Sequence, residues 1–279
     1  MIIKSTLSGE SEYRKSDKLH ISGKKIISYS LVFTFLFVGY EPVKDIVAIT
    51  MDTIKLNFSS ASAGSKNTKE HWPVSGWRIK DLSTASKVKY LSNLEKDVIL
   101  HLNMVRSNPP KYARDFIAPR SRYYKGKLYR EPWEPSNFAG YVKQEGVEAV
   151  RECVSAMEQT SSVALLRPSK GLTLAAADHA VDQFHTGDTG HIGSDGSKTL
   201  TRFARHGWWQ TIMGENISYG PVTGREIVVG LLVDDGIRDR GHRENILNSQ
   251  FRVVGVSIQK HPVYRYVCVI DFAGAFYEN

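Results

Sequence analysis

Four residues in the C-terminal half combine reactive side chains with settings suited to chemistry: His191, Glu215, Asp235 and His242. Three of them stand in glycine-led runs. His191 is in Gly-His-Ile-Gly-Ser-Asp-Gly (190–196), Glu215 in Gly-Glu-Asn-Ile (214–217) and His242 in Gly-His-Arg-Glu-Asn-Ile-Leu (241–247). Two imidazoles and two carboxylates suit a divalent metal such as zinc, or acid–base work. The stretch 234–248, DDGIRDRGHRENILN, is too polar for a core segment. It reads as the start of a short helix whose polar end turns into a cleft. The four residues are far apart in the chain, so spacing alone leaves open whether they meet.

The elements that must position them follow from periodicity. Leu91, Leu94, Val98, Leu102 and Val105 recur at helical spacing, and Pro109-Pro110 ends that helix. Helical patterns also cover 143–159, 170–184 and 199–205. In the second of these, Ala175, Ala176, Ala177 and Ala180 permit close packing, and His179 reads as a packed or capping histidine. Residues 212–219 read as a strand. Thr223 and Glu226 fit a capping box, and the helix they open carries Val228, Leu231, Leu232 and Asp235 on one face. Asp234 is the neighbouring alternative to Asp235. The chain closes on a hairpin, 253–258 with 266–272, apolar on both faces. A sheet of that kind must be covered twice. The expected fold is α+β, a three-layer α-β-α sandwich around a mostly antiparallel sheet.

The 279 residues carry a formal charge of +8. That balance fits solubility and weak affinity for acidic polymers, and no helix-turn-helix, zinc-finger or aromatic RNA-binding signature accompanies it. Cys153 and Cys268 are the only cysteines, too few for a disulfide framework. They read as two buried thiols, though one bridge is an alternative. Lys24-Lys25 precede an uncharged apolar run at 26–40, the pattern of a secretory signal or an uncleaved signal anchor. The expected organisation is an export segment (1–50), a poorly structured linker (51–88) rich in small polar residues, and a folded domain (89–279). A long inserted stretch at 118–144 is expected to cover or border the cleft.

Read together, His191 with Asp195-Gly196, GENISYG at 214–220, GHRENILN at 241–248 and VCVIDFAG at 267–274 resemble the CAP superfamily. This SCP-like family includes cysteine-rich secretory proteins, antigen 5 and pathogenesis-related proteins of class one. The match is to its bacterial, cysteine-poor branch over roughly 90–279. The resemblance implies a secreted α-β-α sandwich with a cleft of two histidines and two acids. Carried across, these are His191, Glu215, Asp235 and His242, with His191 and His242 as metal ligands and Asn216, Arg243 and Asn245 in support. Aspartate stands at 235 where the family usually has glutamate, and Leu232 where it often has an aromatic residue.

Three functions fit. The first is a binding module for zinc or another divalent metal, a small hydrophobic ligand or an extracellular protein. The second is a metal-assisted or His/carboxylate hydrolase. The third is a lipid- or sterol-binding or envelope-associated structural protein. The hydrolase reading lacks a Gly-x-Ser-x-Gly elbow, a His-Glu-x-x-His helix and a well-placed cysteine. The expected protein is a monomer outside the cytoplasm, without nucleic-acid partners, touching membrane only through 26–40.

Overall fold

The computed structural model describes Ile2–Ile3 and residues 76–279. The export segment expected at 26–40, and the linker up to residue 75, lie outside the described residues. Among the described residues no helix is long and apolar enough to cross a membrane. In chain order the elements are β1 (Ile2–Ile3), α1 (Ile79–Leu82), α2 (Asn93–Ser107), α3 (Pro109–Tyr112), β2 (Tyr124–Lys125), β3 (Leu128–Tyr129) and β4 (Tyr141–Val142). Then come α4 (Val147–Glu158), β5 (Arg167–Pro168), α5 (Lys170–Thr186), α6 (Thr199–His206), β6 (Gly207–Tyr219), α7 (Gly224–Val233), α8 (Gly241–Leu247), β7 (Val253–His261) and β8 (Arg265–Glu278).

The central sheet has the order β1-β6-β8-β7-β5. Its pairings are antiparallel except β5 with β7. Side chains alternate between the two faces of a strand, and both faces are apolar. On one side Met213, Ile217, Val267, Val269 and Ala273 pack with Leu172, Ala175, Ala176 and Ala180 of α5 and Phe203 of α6. On the other, Val254, Val256, Cys268, Ile270 and Phe272 share a core with Val98, Leu102 and Val105 of α2 and Ile227, Val228, Leu231 and Leu232 of α7. This is the three-layer sandwich. Helix α5 lies directly on strand backbone, because a Cβ at Gly255 would stand 2.1 Å from the Leu172 carbonyl carbon.

Local chemistry sets the helix starts. The Ser92 hydroxyl accepts from Glu95 N–H and the Glu95 carboxylate accepts from Ser92 N–H, a complete capping box for α2. Glu95 also accepts from the Ile258 amide at 3.1 Å, tying α2 to β7. Pro109-Pro110 end α2 and also open α3, where a missing amide costs nothing in the first turn. Thr223 caps α7 as expected, accepting from Glu226 N–H. The Glu226 carboxylate does not return the bond. It faces the Arg120 guanidinium in a two-bond fork of 2.5 and 2.9 Å, an ion pair stronger than a cap.

Two stretches are more ordered than their composition suggests. Residues 118–144 hold a short 3-10 helix (Ala118–Tyr123) and a three-stranded sheet β2-β3-β4, with Arg120 anchoring them to α7. Residues 76–88, assigned to the linker on sequence, send Leu82 and Ala85 into the core. The Asn103 amide donates to Leu82 O at 3.1 Å. Arg106 of α2, fully buried, donates to the carbonyls of Ala164, Ile246, Asn248 and Phe251 at 2.7–2.9 Å. It thereby closes the carboxyl end of α8.

Candidate functional site

His191 lies on the loop between α5 and α6, and the loop is tied from three sides. Gly190 O accepts from His179 Nε2 and Gln183 Nε2, each at 2.8 Å, and Gly190 N–H donates to the Tyr219 hydroxyl. Arg202 donates to His191 O at 3.2 and 3.3 Å. Burial lowers the pKa of His179, which keeps it the neutral, packed residue read from sequence. The His191 ring is set by Glu215, whose Oε1 lies 2.7 Å from Nδ1. A carboxylate only accepts, so Nδ1 donates and Nε2 of the neutral ring keeps its lone pair.

Glu215 is 1% exposed. Its remaining bonds come from the Thr199 hydroxyl at 2.9 Å and the Arg202 guanidinium at 2.7 Å. Burial opposes its charge, but the His191 hydrogen bond and the Arg202 charge win and hold the carboxyl down at about 2. Asn216, next on β6, points to the other face and donates to His242 O at 3.0 Å. Asn245 of α8 donates to Asn216 Oδ1 at 2.8 Å. Glycine at 214 makes room for this amide, since a Cβ there would stand 2.9 Å from Asn245 Oδ1. Consecutive residues of β6 therefore serve both layers: Glu215 orients His191, and Asn216 holds the helix that carries His242.

His242 is the second residue of α8. Its Nδ1 lies 2.6 Å from Asp234 Oδ1, and its backbone N–H donates to Asp234 Oδ2 at 3.1 Å. The second acid of the site is thus Asp234, and the assignment to Asp235 is corrected. Helix α7 ends at Val233, and Asp234 turns left-handed with φ 54°. The helical spacing that placed Asp235 on the apolar stripe does not extend that far. Asp235 points away and accepts from the backbone amides of Gln144, Glu145 and Gly146 at 2.7, 2.8 and 3.2 Å. It anchors the insertion and the start of α4. Arg243, expected in support, is a clamp: it donates to Leu232 O and forks onto Glu152 of α4 at 2.5 and 2.8 Å.

Two imidazoles therefore have Nδ1 bound by a buried carboxylate, and neither Nε2 has a hydrogen-bond partner among the described residues. Their side chains are 27% and 19% exposed, so both are reachable. Histidines that bind metals are commonly oriented this way, with the other ring nitrogen given to a carboxylate. Among the described residues no group of three or more His, Cys, Asp and Glu is placed to hold a metal. Both cysteines are buried and unpaired, and burial pushes the Cys153 thiol up to about 12.

Sequence reasoning missed Arg202, Thr199 and Asp271. Asp271 had a partial signal, a charge on the otherwise apolar strand face of Val267, Val269 and Ala273; Arg202, on a helix face with Thr199 and His206, had none.

Residues 144–272 match the family described as the cysteine-rich secretory protein family, CAP. That stretch of the chain is similar to the CAP family. The match starts after α2 and the insertion, which the broader sequence resemblance had included. No curated protein matches the chain. An outer surface protein from Borrelia burgdorferi is similar at 17% identity and a TM-score of 0.34, covering 39% of this chain and 76% of that one. An extracellular protein containing an SCP domain, from Bacillus anthracis, is similar at 20% identity and a TM-score of 0.33. That likeness covers 56% of this chain and about half, 48%, of the Bacillus chain.

Proposed function

We propose that this protein works outside the cytoplasm as a binding module whose cleft is organised by His191 and His242. The observation that carries the reading is the pair of imidazoles with Nδ1 fixed by Glu215 and Asp234 and Nε2 left without a partner. Two pre-oriented lone pairs suit a divalent metal such as zinc, or the N–H or O–H groups of a ligand. Ile192, beside His191 and 55% exposed, adds an apolar contact for a small hydrophobic ligand or an extracellular protein. The run at 26–40 supports export.

The same pairs resemble the base half of a hydrolase. Against catalysis, no Ser, Thr or Cys side chain hydrogen-bonds either Nε2 among the described residues, and both thiols are buried. Calorimetric titration of the purified protein with zinc at neutral pH, on wild type, His191→Ala and His242→Ala, tests the metal. The expected result is one site in wild type, lost in both variants, and weaker at acid pH because imidazoles must be neutral to bind. Zinc uptake that survives both substitutions refutes the assignment.

A further inference from the structure

Glu215 has a cross-strand partner that its own bonds do not use. Asp271 of β8 pairs with Glu215 in the sheet register, and Gly255 of β7 is third in the row. Met213 and Ile217 flank Glu215, and Val269 and Ala273 flank Asp271, all on the face under α5. The two acids thus lie side by side beneath one helix. Asp271 is 0% exposed, and no N–H or O–H group of another residue donates to either of its oxygens. On its far side the Gly255 row is sealed by α5 backbone.

Charge decides the state of the pair. The charged and titratable groups acting here are Glu215 from β6, Arg202 from α6, Asp178 and His179 from α5, and His191 from the loop between α5 and α6; β7 contributes only Gly255 in this row. Arg202 is the one fixed cation, and it is bonded to Glu215. Glu215 has three side-chain donors and Asp271 has none. Two adjacent buried carboxyls with one cation cannot both ionise without a large penalty. We infer that Asp271 is kept as the neutral acid at neutral pH, because it is buried without a donor beside the Glu215 carboxylate. Burial first, then the Glu215 charge and a hydrogen bond from the protonated Asp271 to Glu215, push the Asp271 carboxyl well above the usual carboxylate range, and Arg202 opposes them. The arrangement is a solvent-insulated proton store, one strand behind the loop histidine.

The sign of the linkage is fixed. An acid raised in the folded state favours folding below its unfolded value, near 3.9, and that advantage is lost as pH rises toward the folded value. Asp271→Asn keeps the shape of the neutral acid and removes the loss. Urea unfolding of wild type and Asp271→Asn should give a folding-constant ratio that rises about tenfold in the variant's favour per pH unit above ~4, until Asp271 ionises. In the full-length wild type labelled with carboxyl-13C aspartate, one resonance should hold the protonated position through pH 7. Parallel stability curves, or aspartate signals that are all ionised at pH 7, overturn the inference. If Asp271→Asn does not fold, the labelled wild type decides alone.

Discussion

Substituting Asp234 and Asp235 separately distinguishes two roles that adjacent residues could easily blur. Asp234→Asn suits the left-handed backbone at φ 54°, because Asn tolerates that region. Its single carbonyl oxygen can replace one of the two bonds to His242, at Nδ1 or at the backbone amide. One charge-assisted bond is lost at a site 3% exposed, costing about 1.5–3 kcal/mol. Asp235→Ala removes three bonds to the amides of 144–146. Water reaches part of that site, so the cost is nearer that of a lost helix cap, about 1–2 kcal/mol. Stability alone would scarcely separate the variants. Long-range 15N–1H spectra of the imidazoles do. In wild type His242 should carry its proton on Nδ1. That preference should fall in Asp234→Asn and persist in Asp235→Ala. The opposite pattern would refute the assignment of Asp234 as the partner of His242.

Arg106→Met should destabilise the protein by about 3–5 kcal/mol in urea unfolding, since four carbonyls, those of Ile246 and Phe251 in buried bonds, lose their Arg106 donor. A change below 1 kcal/mol would mean that α8 is held by other contacts. Leu102→Ala, at a site 0% exposed, should cost about 2–5 kcal/mol on the same assay. Glu215 is depressed to about 2 in the folded state from its ordinary 4.5, so its stabilisation is present above that ordinary value and lost as pH falls through about 2. Glu215→Gln should flatten the stability curve across that acid window, and an unchanged acid limb counts against the His191–Glu215–Arg202 cluster. Ellman's reagent should label neither cysteine in the native protein and both after unfolding; rapid native labelling would contradict their burial.

Much of this fold was legible because its pattern is redundant. The hairpin strands are apolar on both faces, which requires a layer on each side, and the helices that supply those layers show their spacing plainly. His191 and Glu215 were legible as types in marked turns. Asp234 was harder: a helix pattern does not say where the helix stops, and one residue of fraying moves the carboxylate to the other side of the turn. Glu226 illustrates a second limit. Its spacing from Thr223 describes a capping box, but a buried Arg120 far away in sequence competes for the same carboxylate and prevails. Asp271 stayed hidden because its significance depends on strand register, which sets it beside Glu215.

The two consecutive aspartates also make a mechanical joint. Asp235 is fastened to the amides of 144–146, and through them to the insertion and α4. Asp234 is fastened to the ring and the amide of His242. Their Cα atoms are separated by one peptide unit, about 3.8 Å. Any tug on the insertion, whether from a docked molecule or from a change in its length, reaches the imidazole across a single stiff plane. The insertion can therefore act as a tuning arm for a histidine that it need not touch.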